Sequence, residues 1–181
     1  MRCCNCGSEM IEKQHQTYHY LESGLPNVYL QGITVYECPV CDEVMPEIPS
    51  LRKLHLAIAM ELVGKPDALS GTELRYLRKE MGVQAKTFAK MLGYTPQHLS
   101  RIENGHEGIS EQADKLTRSL FLMRRIEEAS LRNQLDEIKN QLDQIFASFR
   151  DRLRKHSDRR ISINMPAFMI SEKEENSLFS T

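Results

Sequence analysis

TPQHLSRIENG, residues 95–105, is the stretch on which the fold turns. Thr95 can cap a helix and Pro96 suits the first helical position, where no backbone N–H is required. Leu99 and Ile102, three residues apart, supply one narrow buried edge. Gly105 stands where a left-handed residue closes a helix. The rest of this predicted helix is Gln97, His98, Ser100, Arg101 and Asn104, nearly all hydrogen-bond donors. A helix anchored on two apolar residues with such a surface is suited to lie against an acceptor-rich partner.

Upstream, Ser70-Gly71-Thr72-Glu73 forms a capping-box pattern, followed by Leu74, Leu77 and Met81 on one helical face and Gly82 as the stop. A second short helix is predicted over about 84–92, with Phe88, Ala89 and Leu92 inward and Gly93 as its turn. Downstream, a helix starting near Ser110 is expected to bury Ala113, Leu116, Leu120 and Met123. Short helices punctuated this way describe a bundle containing a helix-turn-helix. The helix after the Gly93 turn is then the one expected to enter the DNA major groove.

At the start of the chain, Cys3-x-x-Cys6 and Cys38-x-x-Cys41 are two thiol pairs with 31 residues between them. Each pair can form a tight knuckle, and two knuckles complete a tetrahedron around one structural Zn²⁺. Cys4 competes with Cys3 for the first position; the two-residue spacing to Cys6 favours Cys3. His15 and His19 are alternative ligands, though a surface or packing role fits them better. The segments TYHYL (17–21) and VYLQGITVYEC (28–38), separated by ESGLPN, read as a small antiparallel sheet. The metal is expected to replace a missing apolar core. Two matched pairs argue against a thioredoxin-like dithiol, and no His-x-Glu tripeptide of a zinc deaminase occurs. Four thiolates leave no open position on the metal, and no catalytic constellation accompanies them, so no enzyme is expected. Ser50 then caps a connecting helix striped by Leu51, Leu54, Ile58 and Leu62, which Gly64 and Pro66 end.

The segment LSGTELRYLRKEMGVQAKTFAKMLGYTPQHLSRIENG resembles the Xre/Cro-like helix-turn-helix family. The preceding LPNVYLQGITVYECPVCDEVMPEIPSLRKLHLAIA resembles the zinc-ribbon half of MqsA-type (YgiT-type) antitoxins. The two resemblances cover roughly residues 1–125, in the family's order. They imply a mainly α fold with a small β zinc ribbon and a lambda-repressor-like bundle, to which the heptad spacing further on adds a long C-terminal helix. They also imply a sequence-specific transcriptional regulator that represses its own operon as a type II antitoxin. The alternative is an interaction module that mainly sequesters a toxin or another partner, with DNA binding secondary. The family's base-reading amide and arginine map onto Gln97 and Arg101. By chemistry, Arg101 can pair with guanine O6 and N7 and Gln97 with adenine N6 and N7. Thr95, Ser100, Asn104 and Lys86 suit phosphates, and His98 either a base edge or solvent. The competing role for Arg101 is an ion pair with Glu103 or Glu73. Where the family commonly opens its second helix with Ser-Gln, this chain has Gln84-Ala85.

Beyond residue 126, Leu131, Leu135, Ile138, Leu142, Ile145 and Phe149 are spaced 4, 3, 4, 3, 4, a heptad seam. Two readings stand: a coiled coil giving a homodimer on a palindromic operator, or a helix folded back on its own bundle. RDRLRKHSDRR (150–160) is a basic arm, a contact for an acidic partner, or a solvated helix end; ISINMPAFMI (161–170) could add an edge strand or dock a partner. The expected division is zinc ribbon 1–49, connector 50–69, helix-turn-helix 70–125, heptad helix 126–158 and tail 159–181. The net charge of −1 conceals segregation. Residues 1–50 carry 2 basic against 7 acidic groups, and residues 70–125 carry 10 against 6. Local charge therefore permits a nucleic-acid partner that the total would discourage. With no apolar run of membrane-spanning length and no signal-like start, the chain reads as cytoplasmic, with reduced cysteines.

Overall fold

The computed structural model describes residues 1–130, 140–141 and 161–164. These fall into two compact units, divided between Ile58 and Ala59.

In the first unit, β1 (Ile11–His19) and β2 (Val28–Glu37) pair antiparallel. A single 3-10 turn at Leu21–Ser23 connects them, over the segment expected to turn. The first strand begins well before TYHYL: Ile11–Thr17 are all exposed, so no apolar alternation betrayed them. The hairpin carries two compensating irregularities. Gly32 at φ +70° puts one extra residue into β2, and His15 at φ +54° one into β1. The bulge at Gly32 shifts the burial alternation, so Val28 and Leu30 before it and Ile33 and Val35 after it are all buried. A side chain at Gly32 would strain that φ. The other edge of β2 takes two short strands. β3 (Val44–Pro46) pairs antiparallel with Val35–Glu37, and β4 (Ile161–Asn164) pairs parallel with Val28–Gln31. The strand expected from ISIN therefore forms; β3, three residues long and ending in proline, had no sequence signal.

Helix α1 (Leu51–Gly64) contains the division between the units. Ser50 Oγ accepts from the Lys53 N–H at its start. Leu54 and Ile58 are buried in the first unit, where His55 Nε2 meets Tyr20 Oη at 2.9 Å. Leu62 is buried in the second, but Leu51, at the unsupported first turn, is exposed.

The second unit comprises the rest of α1, α2 (Gly71–Glu80), α3 (Ala85–Met91), α4 (Pro96–Glu103) and α5 (Glu111–Ser130). The capping box at Ser70 and Glu73 is formed in both directions. α2, α3 and α4 end alike, through N–H to C=O bonds from Val83 to Arg78, Tyr94 to Ala89 and His106 to Arg101. Leu74, Leu77, Phe88, Ala89, Leu99 and Ile102 are fully or almost fully buried, as the periodicity predicts.

α5 departs from expectation. Ala113 is buried, but Leu116 and Met123 are exposed; the buried stripe is Ala113, Thr117 and Phe121. Two polar residues next to the expected stripe satisfy themselves and so can turn inward. Thr117 Oγ1 donates to the Ala113 carbonyl at 2.7 Å. Arg118 donates to the carbonyls of Val63, Lys65 and Asp67 and to the Asp114 carboxylate, whose Oδ1 also accepts from the Leu69 N–H. That network fastens the connector between α1 and α2 to α5. Among the described residues no helix is long and apolar enough to cross a membrane. The heptad residues Leu131, Leu135, Ile138, Leu142, Ile145 and Phe149 lie outside the described residues.

Candidate metal centre and nucleic-acid interface

The two CxxC segments fold into matching knuckles. In the first, the Gly7 N–H donates to Cys3 C=O at 3.0 Å and the Cys3 N–H to Ser8 C=O at 2.8 Å. In the second, Asp42 donates to Cys38 at 3.1 Å and Cys38 to Glu43 at 2.9 Å. Gly7 and Asp42, each directly after the second cysteine of its pair, share a left-handed backbone at φ +74° and +57°. Aspartate tolerates that region better than most residues.

The knuckles bring Cys3, Cys6, Cys38 and Cys41 together, with all four Sγ atoms within 4.8 Å of one another. Cys3 and Cys41 are 3.5 Å apart and Cys6 and Cys38 3.4 Å. A tetrahedron of thiolates at 2.3 Å from a zinc ion has edges of about 3.8 Å, so the donor set fits such an ion. Cys4 is exposed and outside the cluster, which resolves the competition in favour of Cys3. His19 stacks on Tyr29 and bonds the Pro26 carbonyl, and His15 occupies the bulge; neither joins the four sulfurs.

In the first knuckle, hydrogen bonds favour the thiolate form of both cysteines. N–H groups of Cys6 and Asn5 lower the Cys3 pKa. Hydrogen bonds from the Ser8 side chain and N–H, together with Cys38, bring Cys6 down to about 6. At Cys41 the Glu43 N–H also acts to lower the value, but lost hydration and the neighbouring sulfurs outweigh it and push the thiol up to about 12. A bound cation would stabilise the thiolate form at all four positions. Among the described residues, Met10 is buried with Cys3 and Cys38, and Tyr36 and Met45 are partly buried against them. An ion would act as a cross-link for this end of the sheet.

In the second unit, α3 and α4 form the helix-turn-helix. Thr95 Oγ1 accepts from the His98 N–H at 3.1 Å, and Pro96 occupies the first turn of α4. Leu99 and Ile102 face inward, while Gln97 and Ser100 are exposed and Arg101 is 64% exposed. Gln97 and Arg101, one turn apart, share a face. Lys86 and Gln84 are exposed at the start of α3, and Gln84 makes no capping hydrogen bond with its side chain. Asn104, expected at a phosphate, is held at both ends of its amide: Oδ1 accepts from Arg75 at 2.7 Å and Nδ2 donates to the Ser100 carbonyl at 2.8 Å. His98 is half-buried beside the Tyr94 ring.

Two devices place α4. The buried Glu103 carboxylate accepts from Arg75 Nε at 3.1 Å and Arg78 Nε at 2.6 Å, which ties α4 to α2. Arg101 pairs with neither Glu103 nor Glu73 but with Glu107, at 2.6 Å. The second device is a close approach: a Cβ at Gly71 would lie 1.9 Å from the Ile102 carbonyl oxygen. Neither Gly71 nor Glu107 had stood out in the sequence. Gly71 appears there only within the capping-box pattern.

A helix-turn-helix family model matches residues 74–112, from within α2 to the start of α5. No curated protein and no solved structure matches the chain. The match supports a DNA-binding transcriptional regulator.

Proposed function

We propose that this chain is a sequence-specific repressor of its own operon, an antitoxin of the MqsA type with one structural zinc on Cys3, Cys6, Cys38 and Cys41. The observation that carries the DNA-reading part is the pairing of Gln97 and Arg101 on one exposed face of a helix anchored by buried Leu99 and Ile102. An amide and a guanidinium so placed match the acceptor and donor edges that distinguish adenine and guanine in the major groove. Thr95, Ser100 and Lys86 lie exposed around them and suit the phosphates. A homodimer built on the heptad seam would carry two such helices to a palindromic operator.

The test is a gel shift with the duplex upstream of the chain's own reading frame and a random duplex as reference. Arg101→Ala should remove about 1–3 kcal/mol of the preference for the operator and leave helicity and metal content unchanged. Equal operator affinity for the two proteins would sink the reading. The alternative, a module whose main act is to hold a toxin, draws on the acidic first unit, where Ile11–Thr17 of β1 are exposed throughout. It is favoured if Arg101→Ala leaves toxin neutralisation intact and neutralisation alone restores growth.

A further inference from the structure

Glu107 lies beyond α4, in the turn before α5, yet its carboxylate reaches back to that helix. One oxygen pairs with Arg101 Nε at 2.6 Å and the other faces His98 Nδ1 at 3.0 Å. His98 is braced in turn: its ring meets Tyr94 edge-on at 4.5 Å, and Tyr94 Oη is 2.9 Å from Ser110 Oγ. The carboxylate therefore ends a chain of contacts running from the start of α5 to the exposed face of α4.

A solvent-exposed arginine ordinarily samples many rotamers. Here Glu107 occupies the Nε edge of the guanidinium and leaves the four N–H groups of the two Nη atoms. Their outward pair is the fork that matches O6 and N7 of guanine. A carboxylate at this surface also repels phosphate, so it lowers affinity for every duplex whatever its sequence. Both consequences favour discrimination over general binding.

We propose that Glu107 is a specificity-determining positioning residue, which holds the Arg101 fork in its guanine-reading orientation and suppresses non-specific DNA binding. The inference rests on the reading of α4 as the base-contacting helix.

The experiment is selection from a randomised duplex pool by full-length, zinc-loaded wild type, Arg101→Ala, Glu107→Ala and Glu107→Gln. Wild type should enrich a motif from which Arg101→Ala erases guanine at one position per half-site. Glu107→Ala should weaken that same guanine preference about tenfold, whereas Glu107→Gln, whose amide oxygen can still meet Nε, should keep it within about twofold. Both Glu107 variants should bind random duplex several-fold more tightly than wild type at equal salt. If Glu107→Ala selects guanine as strongly as wild type, the inference fails while the reading of α4 stands. If it instead erases a cytosine at a position that Arg101→Ala leaves alone, Glu107 contacts a base itself and the positioning role is overturned. If wild type enriches no motif, or Arg101→Ala loses none of it, the reading of α4 falls and the inference with it.

Discussion

The knuckle end of the first unit and the helical bundle of the second immobilise short segments by different means. Around the knuckles, Cys3, Met10 and Cys38 are the buried side chains, and four sulfurs face one another across the gap. In the bundle, Leu74, Leu77, Phe88, Leu99, Ile102 and Phe121 interlock, and the buried charges Glu73, Glu103, Asp114 and Arg118 are each paired. Among the described residues no buried side-chain nitrogen or oxygen lacks a hydrogen-bond partner. A segment held by ligands depends on what the solution supplies, while one held by apolar packing and satisfied ions does not. The half proposed to read DNA is therefore the half that should be indifferent to metal.

The sharpest way to break that contrast is to remove the metal. Chelation, or Cys38→Ser, should expose residues 1–48 to protease, because structural zinc sites contribute on the order of 10 kcal/mol in small modules. The helical circular-dichroism signal of α2–α5 should persist. N-terminal protease resistance without metal would remove the contrast altogether. Next in size is Glu103→Ala, which strands Arg78, itself nearly buried, and the more exposed Arg75. A loss of about 3 kcal/mol is expected in urea unfolding, with zinc content unchanged. Gly71→Ala forces a methyl group against the Ile102 carbonyl and should cost about 2 kcal/mol in the same titration. If its midpoint matches wild type, the close approach of α2 to α4 is not a constraint. The finest comparison lies within α5: Phe121→Ala should cost about 3 kcal/mol, whereas Met123→Ala should stay within about 0.5 kcal/mol. Reversed magnitudes would restore the inward face read from the sequence.

Much of this was legible beforehand because it depends on local rules. The caps at Ser70 and Thr95, the turns after α2, α3 and α4, and the ligand spacing are short-range patterns, and all appear in the fold. Pattern reading failed where a polar residue could be buried as cheaply as an apolar one. Thr117 and Arg118 are buried because the Ala113 carbonyl and the connector carbonyls accept their hydrogens. The connector carbonyls belong to a segment that no window around residue 118 contains. β1 was read too short because its first seven residues are exposed and carry no alternation.

By itself the sequence determined the chemistry of this protein. It specified four thiols in two pairs, and a short capped helix whose anchors and donors fall on opposite faces. Spacing along one chain settles both, since each arises within a few residues. The tertiary structure decided what those groups are held against. It excluded Cys4 from the sulfur cluster, gave Arg101 to Glu107 and not Glu103, committed Asn104 to Arg75, and made Gly71 a contact surface for α4. Each of these depends on two elements meeting at a particular distance and angle. Such meetings are set by packing the whole unit, which no local pattern encodes.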